Sequence, residues 1–267
     1  MSNLASRIAV AVVGLPLVLS FVHLGGWWLF FLAGAAGLAA LHEFFAITRP
    51  LRPLVIAGYA GLGLILLGIQ LGGLEWGAGG LLATLALAFL LKGIAATRSP
   101  ATVAVGVTAL GAGWIGFGLG YLLLLRDIPA HAELTTYTVL LVVFAGDTAA
   151  YFVGRLVGRH KLAPTISPGK TWEGFAAGLF ASVLVAFIAL YEERDEFLTV
   201  GQALVLGLVI GLAGPAGDLF ESAVKRDMRV KDAGRLLAGH GGMLDRIDSL
   251  LFASVAAFYV VAAFDKA

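Results

Sequence analysis

Cysteine is missing from all 267 residues. That absence removes disulfides, thiolate metal ligands and cysteine nucleophiles, while leaving the compartment open. Charge is nearly as scarce: Asp, Glu, Lys and Arg make up 13% of the chain against 60% hydrophobic residues, and mean hydropathy is +0.94. A soluble domain carries about 25% charged residues, so a soluble globular core is excluded. The apolar segments lack the period-two alternation of a membrane barrel, and no repeat of roughly 20–50 residues suggests a solenoid. A net charge of +1 says nothing of a nucleic-acid partner, because in a membrane chain the placement of charge is what matters.

What the chain does contain is about nine apolar runs, each close to the roughly 20 residues that cross a bilayer as a helix. They lie near 7–24, 27–46, 54–71, 77–91, 101–125, 134–153, 172–191, 199–224 and 247–264. The expected fold is all-α, a polytopic integral membrane bundle of about nine transmembrane helices joined by short loops. The first run follows Arg7, lacks a clear cleavage site and leads straight into further spans, so it reads as a retained helix rather than a signal peptide. With the amino terminus in the cytosol, 15 of the 18 Lys and Arg fall on the cytosolic side, leaving only Arg126, Arg194 and Lys266 outside. This asymmetry follows the positive-inside rule and supports nine spans independently of hydropathy. The acidic loop Glu192, Glu193, Asp195 and Glu196 falls outside and reads as a solvated connection.

The two halves differ in kind. Residues 1–133 form an amino-terminal set of structural, lipid-side helices with few ionisable groups. Glu43, beside His42 near a cytosolic end, reads as an acid reaching the interface or a neighbouring helix. Residues 134–267 form the expected catalytic region, with two cytosolic loops dense in cations, Gly and Pro, each preceded by a helix carrying an acid near its cytosolic end. The spacings Gly116/Gly120, Gly154/Gly158, Gly174/Gly178 and Gly207/Gly211 allow close helix approach. They are weak evidence for a homodimer, since internal packing explains them more cheaply.

Three constellations carry chemistry. In the first, a Gly214-Pro215 pair is expected to interrupt a long apolar helix, and Asp218, Glu221, Ser222 and Lys225 follow at i, i+3, i+4 and i+7. That spacing sets two acids, a hydroxyl and an ammonium on one stripe. An acid at such depth is a functional candidate by default, although pairing with Lys225 or a neighbouring helix is the structural alternative. In the second, GHGGMLDRIDS, Asp245 and Asp248 open the last run behind His240, Gly241 and Gly242. Helix capping accounts for acids at a helix start. Consecutive glycines let a backbone approach a phosphate, so the stretch also reads as a metal-plus-phosphate corner. The third holds Asp147, Tyr151, Gly154, Arg155 and Gly158 on one stripe, leading through Arg159, His160 and Lys161 to Ser167-Pro168-Gly169-Lys170-Thr171. It is no P-loop, because the earlier glycine that motif needs falls at Pro164. A lysine and hydroxyls ahead of a helix that begins near Trp172 suit phosphate binding, with a plain helix cap as the alternative. His160 reads as a loop residue.

Carboxylates without Cys or a His pair select a hard cation, Mg²⁺ first. Cation-rich loops suit a polyphosphate, and the acids suit the metal that neutralises it. Phosphoryl or nucleotidyl transfer at the cytosolic membrane surface uses all three sites, and the bilayer implies that the second substrate is a lipid.

These residues resemble the phosphatidate cytidylyltransferase (CDP-diacylglycerol synthase) family. The family signature is met by Ser222, Lys225, Arg226, Lys231, Asp232, Gly234, Leu237, His240, Gly241, Gly242, Asp245, Arg246 and Asp248 at the family spacings, with Ala238 where Pro is usual. Asp147, Thr148, Ala150, Tyr151, Gly154, Arg155 and Ser167 to Thr171 extend the likeness over about residues 144–250. The resemblance implies CTP + phosphatidate → CDP-diacylglycerol + diphosphate, with Mg²⁺, a helical membrane fold and often a dimer. It implies a nucleotidyltransferase of phospholipid biosynthesis in the cell membrane, with amino terminus and active-site loops cytosolic. On these positions it places Asp218, Asp245 and Asp248 as metal carboxylates or their close support. Lys225 joins them as catalytic. Ser167, Lys170, Thr171, Ser222, Arg226, Lys231, Asp232, His240, Gly241, Gly242, Arg246 and Asp147 are the expected substrate-binding residues.

Three rivals compete. The CDP-alcohol phosphotransferases pair Asp-Gly early with several Asp at i+4, a pattern lacking here. A polyprenol kinase would also join CTP to a lipid, but would release CDP. An ion-coupled transporter places its ionisable residues near the midplane of repeated halves, whereas here they cluster towards one face of the carboxyl-terminal half.

Overall fold

The computed structural model describes residues 3–94, 100–129, 131–192, 197–234 and 241–264, with backbone alone for 3–13 and 190–192. Eight helices run in order: α1 Asn3–Leu24, α2 Gly26–Ile47, α3 Val55–Ile94, α4 Ala101–Arg126, α5 Ala132–Val157, α6 Trp172–Glu192, α7 Val200–Asp227 and α8 Leu244–Phe264. Between α5 and α6 stands a short antiparallel hairpin of β1 Lys161–Ala163 and β2 Ser167–Thr171. The chain is an all-α polytopic membrane protein. Among the described residues, seven of these helices are long and apolar enough to cross a bilayer.

One of the seven spans twice the usual length. At about 1.5 Å per residue a straight 40-residue helix would overrun the bilayer, and α3 breaks at Gly72 and Gly73, where φ is +73° at Gly73. Its halves fold back on each other. A Cβ at Gly80 would lie 2.7 Å from the Leu64 carbonyl carbon, and one at Gly68 would lie 2.6 Å from the Trp76 carbonyl oxygen. Gly61 likewise faces Thr84. Two backbones approach this closely only where side chains are missing. Counted by segment, the eight helices among the described residues therefore give nine rods, in line with the expected about nine apolar runs.

By internal contacts the chain forms two compact units, Met1–Leu124 with Asp227–Ile247, and Leu125–Arg226 with Asp248–Ala267. In the first, Ile65, Ile69 and Ala112 are buried and pack with Leu81, Phe117 and Leu124, while Gly116 sits against Ile65 and Gly111 against Phe44. In the second, Gly146 and Gly178 bring α5 and α6 together, and Gly207 and Gly211 seat α7 on Val183 and Ser182. All four Gly-x-x-x-Gly spacings are thus occupied by packing within the chain. In lipid there is no hydrophobic gain from burying apolar groups, so close van der Waals contact at such glycines carries the association.

The Gly214-Pro215 pair does not interrupt its helix: α7 runs unbroken from Val200 to Asp227. Proline removes a single N–H donor, and a membrane helix tolerates that loss where neighbouring groups satisfy the freed backbone.

Candidate active site

In the second unit α7 and α8 meet at Gly217. Any side chain there would overlap the carbonyl oxygen of Asp248, and a Cβ at Gly214 would lie 3.8 Å from Ser249. This close approach has a direct chemical consequence. Asp218 and Glu221, one helical turn apart on α7, are brought to Asp248 on α8, and one carboxylate oxygen from each lies within 4.8 Å of the others. Glu221 is 1% and Asp248 7% exposed. Asp248 Oδ1 accepts the Ser249 backbone N–H at 2.8 Å.

Cations are woven into the cluster. Lys170, from β2, places its Nζ 2.9 Å from Asp218 Oδ2 and 3.3 Å from the Pro215 carbonyl oxygen. Lys225 pairs with Glu221 one turn along α7, rather than with Asp218 as the stripe alone allowed. Ser222 donates to Asp218 Oδ1 at 3.3 Å. Arg226 Nε donates to the Ile166 carbonyl at 3.1 Å, tying the hairpin loop to the end of α7. Asp147, on α5, lies within electrostatic range of Asp218 and Lys170 and beside the Ser249 side chain. Thr171 is buried and its Oγ1 accepts the Gly174 N–H at 3.1 Å, capping α6. Ser167 is half-buried on β2. Tyr151 and Arg155 pair with each other at 2.8 Å on the exposed side of α5.

In the first unit, Asp245 turns back onto the backbone ahead of α8. Its carboxylate accepts the Gly242 N–H at 2.8 Å and the Ala233 N–H at 3.2 Å. Gly241 holds φ at +84°, a left-handed conformation that favours glycine. Lys231, Asp232 and Arg246 are exposed. His240 lies outside the described residues, as does the acidic loop 193–196.

Two residues carry more of the geometry than their sequence context implied. Glu221 stands on the Asp218 stripe, but only the fold shows that it, with Asp218, faces Asp248. Glu43, on α2, is 3% exposed and accepts the Leu244 N–H at 2.9 Å. It reaches the start of another helix, α8, 201 positions away. The signal for both was their type: an ionisable side chain inside an apolar helix.

Three carboxylates meet two ammonium groups in the second-unit cluster, and every ligand-type atom is a hard oxygen donor. Mutual repulsion of buried carboxylates is relieved by a cation, and a divalent ion of the Mg²⁺ or Ca²⁺ type matches all-oxygen ligation. Asp218, Glu221 and Asp248 therefore fit a divalent metal, with Lys170 and Lys225 placed to meet anionic oxygens.

Comparison with known proteins gives the family. The profile described as the cytidylyltransferase family matches residues 5–264. The chain is 33% identical to a phosphatidate cytidylyltransferase of Staphylococcus haemolyticus over 250 residues, 92% of this chain and 94% of that one. It is 38% identical over 160 residues to the Bacillus subtilis phosphatidate cytidylyltransferase, covering 60% of this chain and 59% of that one. With Staphylococcus saprophyticus it shares 43% over 139 residues, about half of each chain. A profile matched over nearly the whole length, together with a relative aligned end to end, shows that the chain belongs to the cytidylyltransferase family and is a membrane-embedded nucleotidyltransferase.

Proposed function

We propose that this protein is a phosphatidate cytidylyltransferase, joining CTP and phosphatidate to give CDP-diacylglycerol and diphosphate in phospholipid biosynthesis. The observation that carries the reading is the carboxylate cluster of Asp218, Glu221 and Asp248, interleaved with Lys170 and Lys225, in a chain aligned end to end with a relative of that name. Catalysis belongs to residues 134–267, with the loops and amino terminus cytosolic in a cell membrane, where a soluble nucleotide meets a lipid head group.

A phosphate oxygen of phosphatidate attacks the α-phosphorus of CTP; the bond from that phosphorus to the bridging oxygen breaks, and diphosphate leaves with the electron pair. The nucleophile is already an anion, so positioning and charge neutralisation dominate over general-base catalysis. Bound Mg²⁺ supplies Lewis-acid neutralisation of the polyphosphate charge. Asp218, Glu221 and Asp248 would hold it, and the resemblance implies Asp245 as a metal carboxylate or its close support. Lys170, Lys225 and Arg226 hold charge on the phosphates. Ser167, Thr171, Ser222 and Asp147 order that side of the site. Lys231, Asp232, His240, Gly241, Gly242 and Arg246 are assigned to substrate binding by the signature. A homodimer is suggested by the family resemblance alone.

Product analysis tests the assignment. Purified protein with Mg²⁺, CTP and phosphatidate forms CDP-diacylglycerol and diphosphate in equal amounts, and Asp245→Asn or Asp248→Asn abolishes both. Release of CDP, or CTP consumption only with a polyprenol, would overturn it.

A further inference from the structure

The amino-terminal helices supply one acid to the signature turn. Glu43 stands near the end of α2, between buried Phe44 and Leu41 in sequence, and is itself 3% exposed. An acid so placed stays ionised or bonded only where its partners repay its desolvation. Its Oε2 accepts the Leu244 N–H at 2.9 Å, the first amide of α8. Two glycines of the signature pack on the same carboxylate: a Cβ at Gly242 would lie 2.5 Å from Oε2, and one at Gly234 would overlap Oε1. Neither glycine has a positive φ. What these positions exclude is a side chain, because the carboxylate occupies that space.

Both ends of the turn are therefore held. Asp245 accepts the Gly242 and Ala233 amides from the α8 side, and Glu43 accepts the Leu244 amide from α2. The Leu244 N–H is one of the first amides of α8, which lack partners within the helix, while Gly242 and Ala233 lie in the chain ahead of it. Without Glu43, a buried amide loses its acceptor and the turn its abutment.

We infer that Glu43 is a positioning residue for the nucleotidyl transfer: it sets the 241–245 turn, so that Gly241, Gly242 and Asp245 keep the backbone arrangement the reaction uses. The role rests on the proposed function for its catalytic meaning, but the contact itself can be read without activity. Glu43→Gln keeps an acceptor for the Leu244 N–H, and no described donor bonds to Oε1, so the amide version retains most of the activity. Glu43→Met has similar bulk and no comparable acceptor.

The experiment compares both variants with Ile65→Ala, a packing change in the same unit away from the turn. Melting midpoints, kcat and KM for CTP are measured on detergent-purified full-length protein, together with hydrogen exchange of peptides covering 241–250. In Glu43→Met, kcat falls by about tenfold or more and amide exchange at the turn rises by a similar factor, the scale of an unsatisfied buried donor. Glu43→Gln stays within about threefold of wild type in both, and Ile65→Ala changes melting without raising exchange at the turn. The inference is overturned if Glu43→Met leaves exchange at 241–250 unchanged, if its kcat falls no further than that of an equally destabilised Ile65→Ala, or if Glu43→Gln is as impaired as Glu43→Met. If wild-type protein makes no CDP-diacylglycerol, the proposed function fails, while the exchange data still decide whether Glu43 holds the turn.

Discussion

At the scale of single residues, the cluster assigns different work to acids that look alike in sequence. Asp245 and Asp248 sit three apart at the start of one helix, yet Asp245 accepts backbone amides while Asp248 joins Asp218 and Glu221. Glu221→Gln removes one charge from that group and breaks its ion pair with Lys225. The Mg²⁺ concentration for half-maximal activity should then rise at least roughly tenfold, as for other changes close to a metal; a titration of product formation against Mg²⁺ checks this. Asp248→Asn should show no activity at any Mg²⁺ concentration in the same titration. The stripe of Asp218, Glu221, Ser222 and Lys225 was legible from helical spacing alone. Which lysine each acid chooses was not, because Lys170 arrives from a hairpin 48 positions before Asp218.

At the scale of elements, glycine decides how near two helices come, and the cost of filling it depends on what lies opposite. Gly80→Ala puts a methyl group 2.7 Å from the Leu64 backbone between the halves of α3. Such overpacking costs about 1–3 kcal/mol, so the melting midpoint should fall while the folded fraction keeps its turnover per molecule. Gly217→Ala forces α7 from the Asp248 carbonyl and so separates two of the cluster acids from the third. Its turnover should collapse even in the fraction that remains folded, and paired measurements of melting and specific activity separate the two outcomes. The segment that forms the β1 and β2 hairpin reads from sequence as a loop; its strands are three and five residues long, too short for a period-two pattern to register. The break at Gly72 and Gly73 was visible as a gap between two apolar runs, and the structure turns that gap into a tight reversal.

At the scale of the whole molecule, the absence of cysteine makes the proposed orientation directly testable. In an otherwise cysteine-free chain, Glu75→Cys, beside the α3 reversal, should react with an impermeant thiol reagent added outside intact cells, and Thr165→Cys, in the hairpin, only after the membrane is opened. Labelling of the two positions from the same side would overturn the nine-span topology. By itself the sequence determined the solvent and the helical fold: long apolar runs select helices in lipid, since every backbone donor there needs a partner within its own segment, and acids, cations and glycines at set intervals mark the residues proposed to handle phosphate. Those are local properties, encoded by composition and spacing within one helix. Only the tertiary structure decided that Gly217 brings α7 to α8, that Lys170 crosses to Asp218, and that Glu43 reaches Leu244. Such contacts join residues far apart in the chain, and their distances follow from how side-chain volumes pack, which no spacing along the sequence contains.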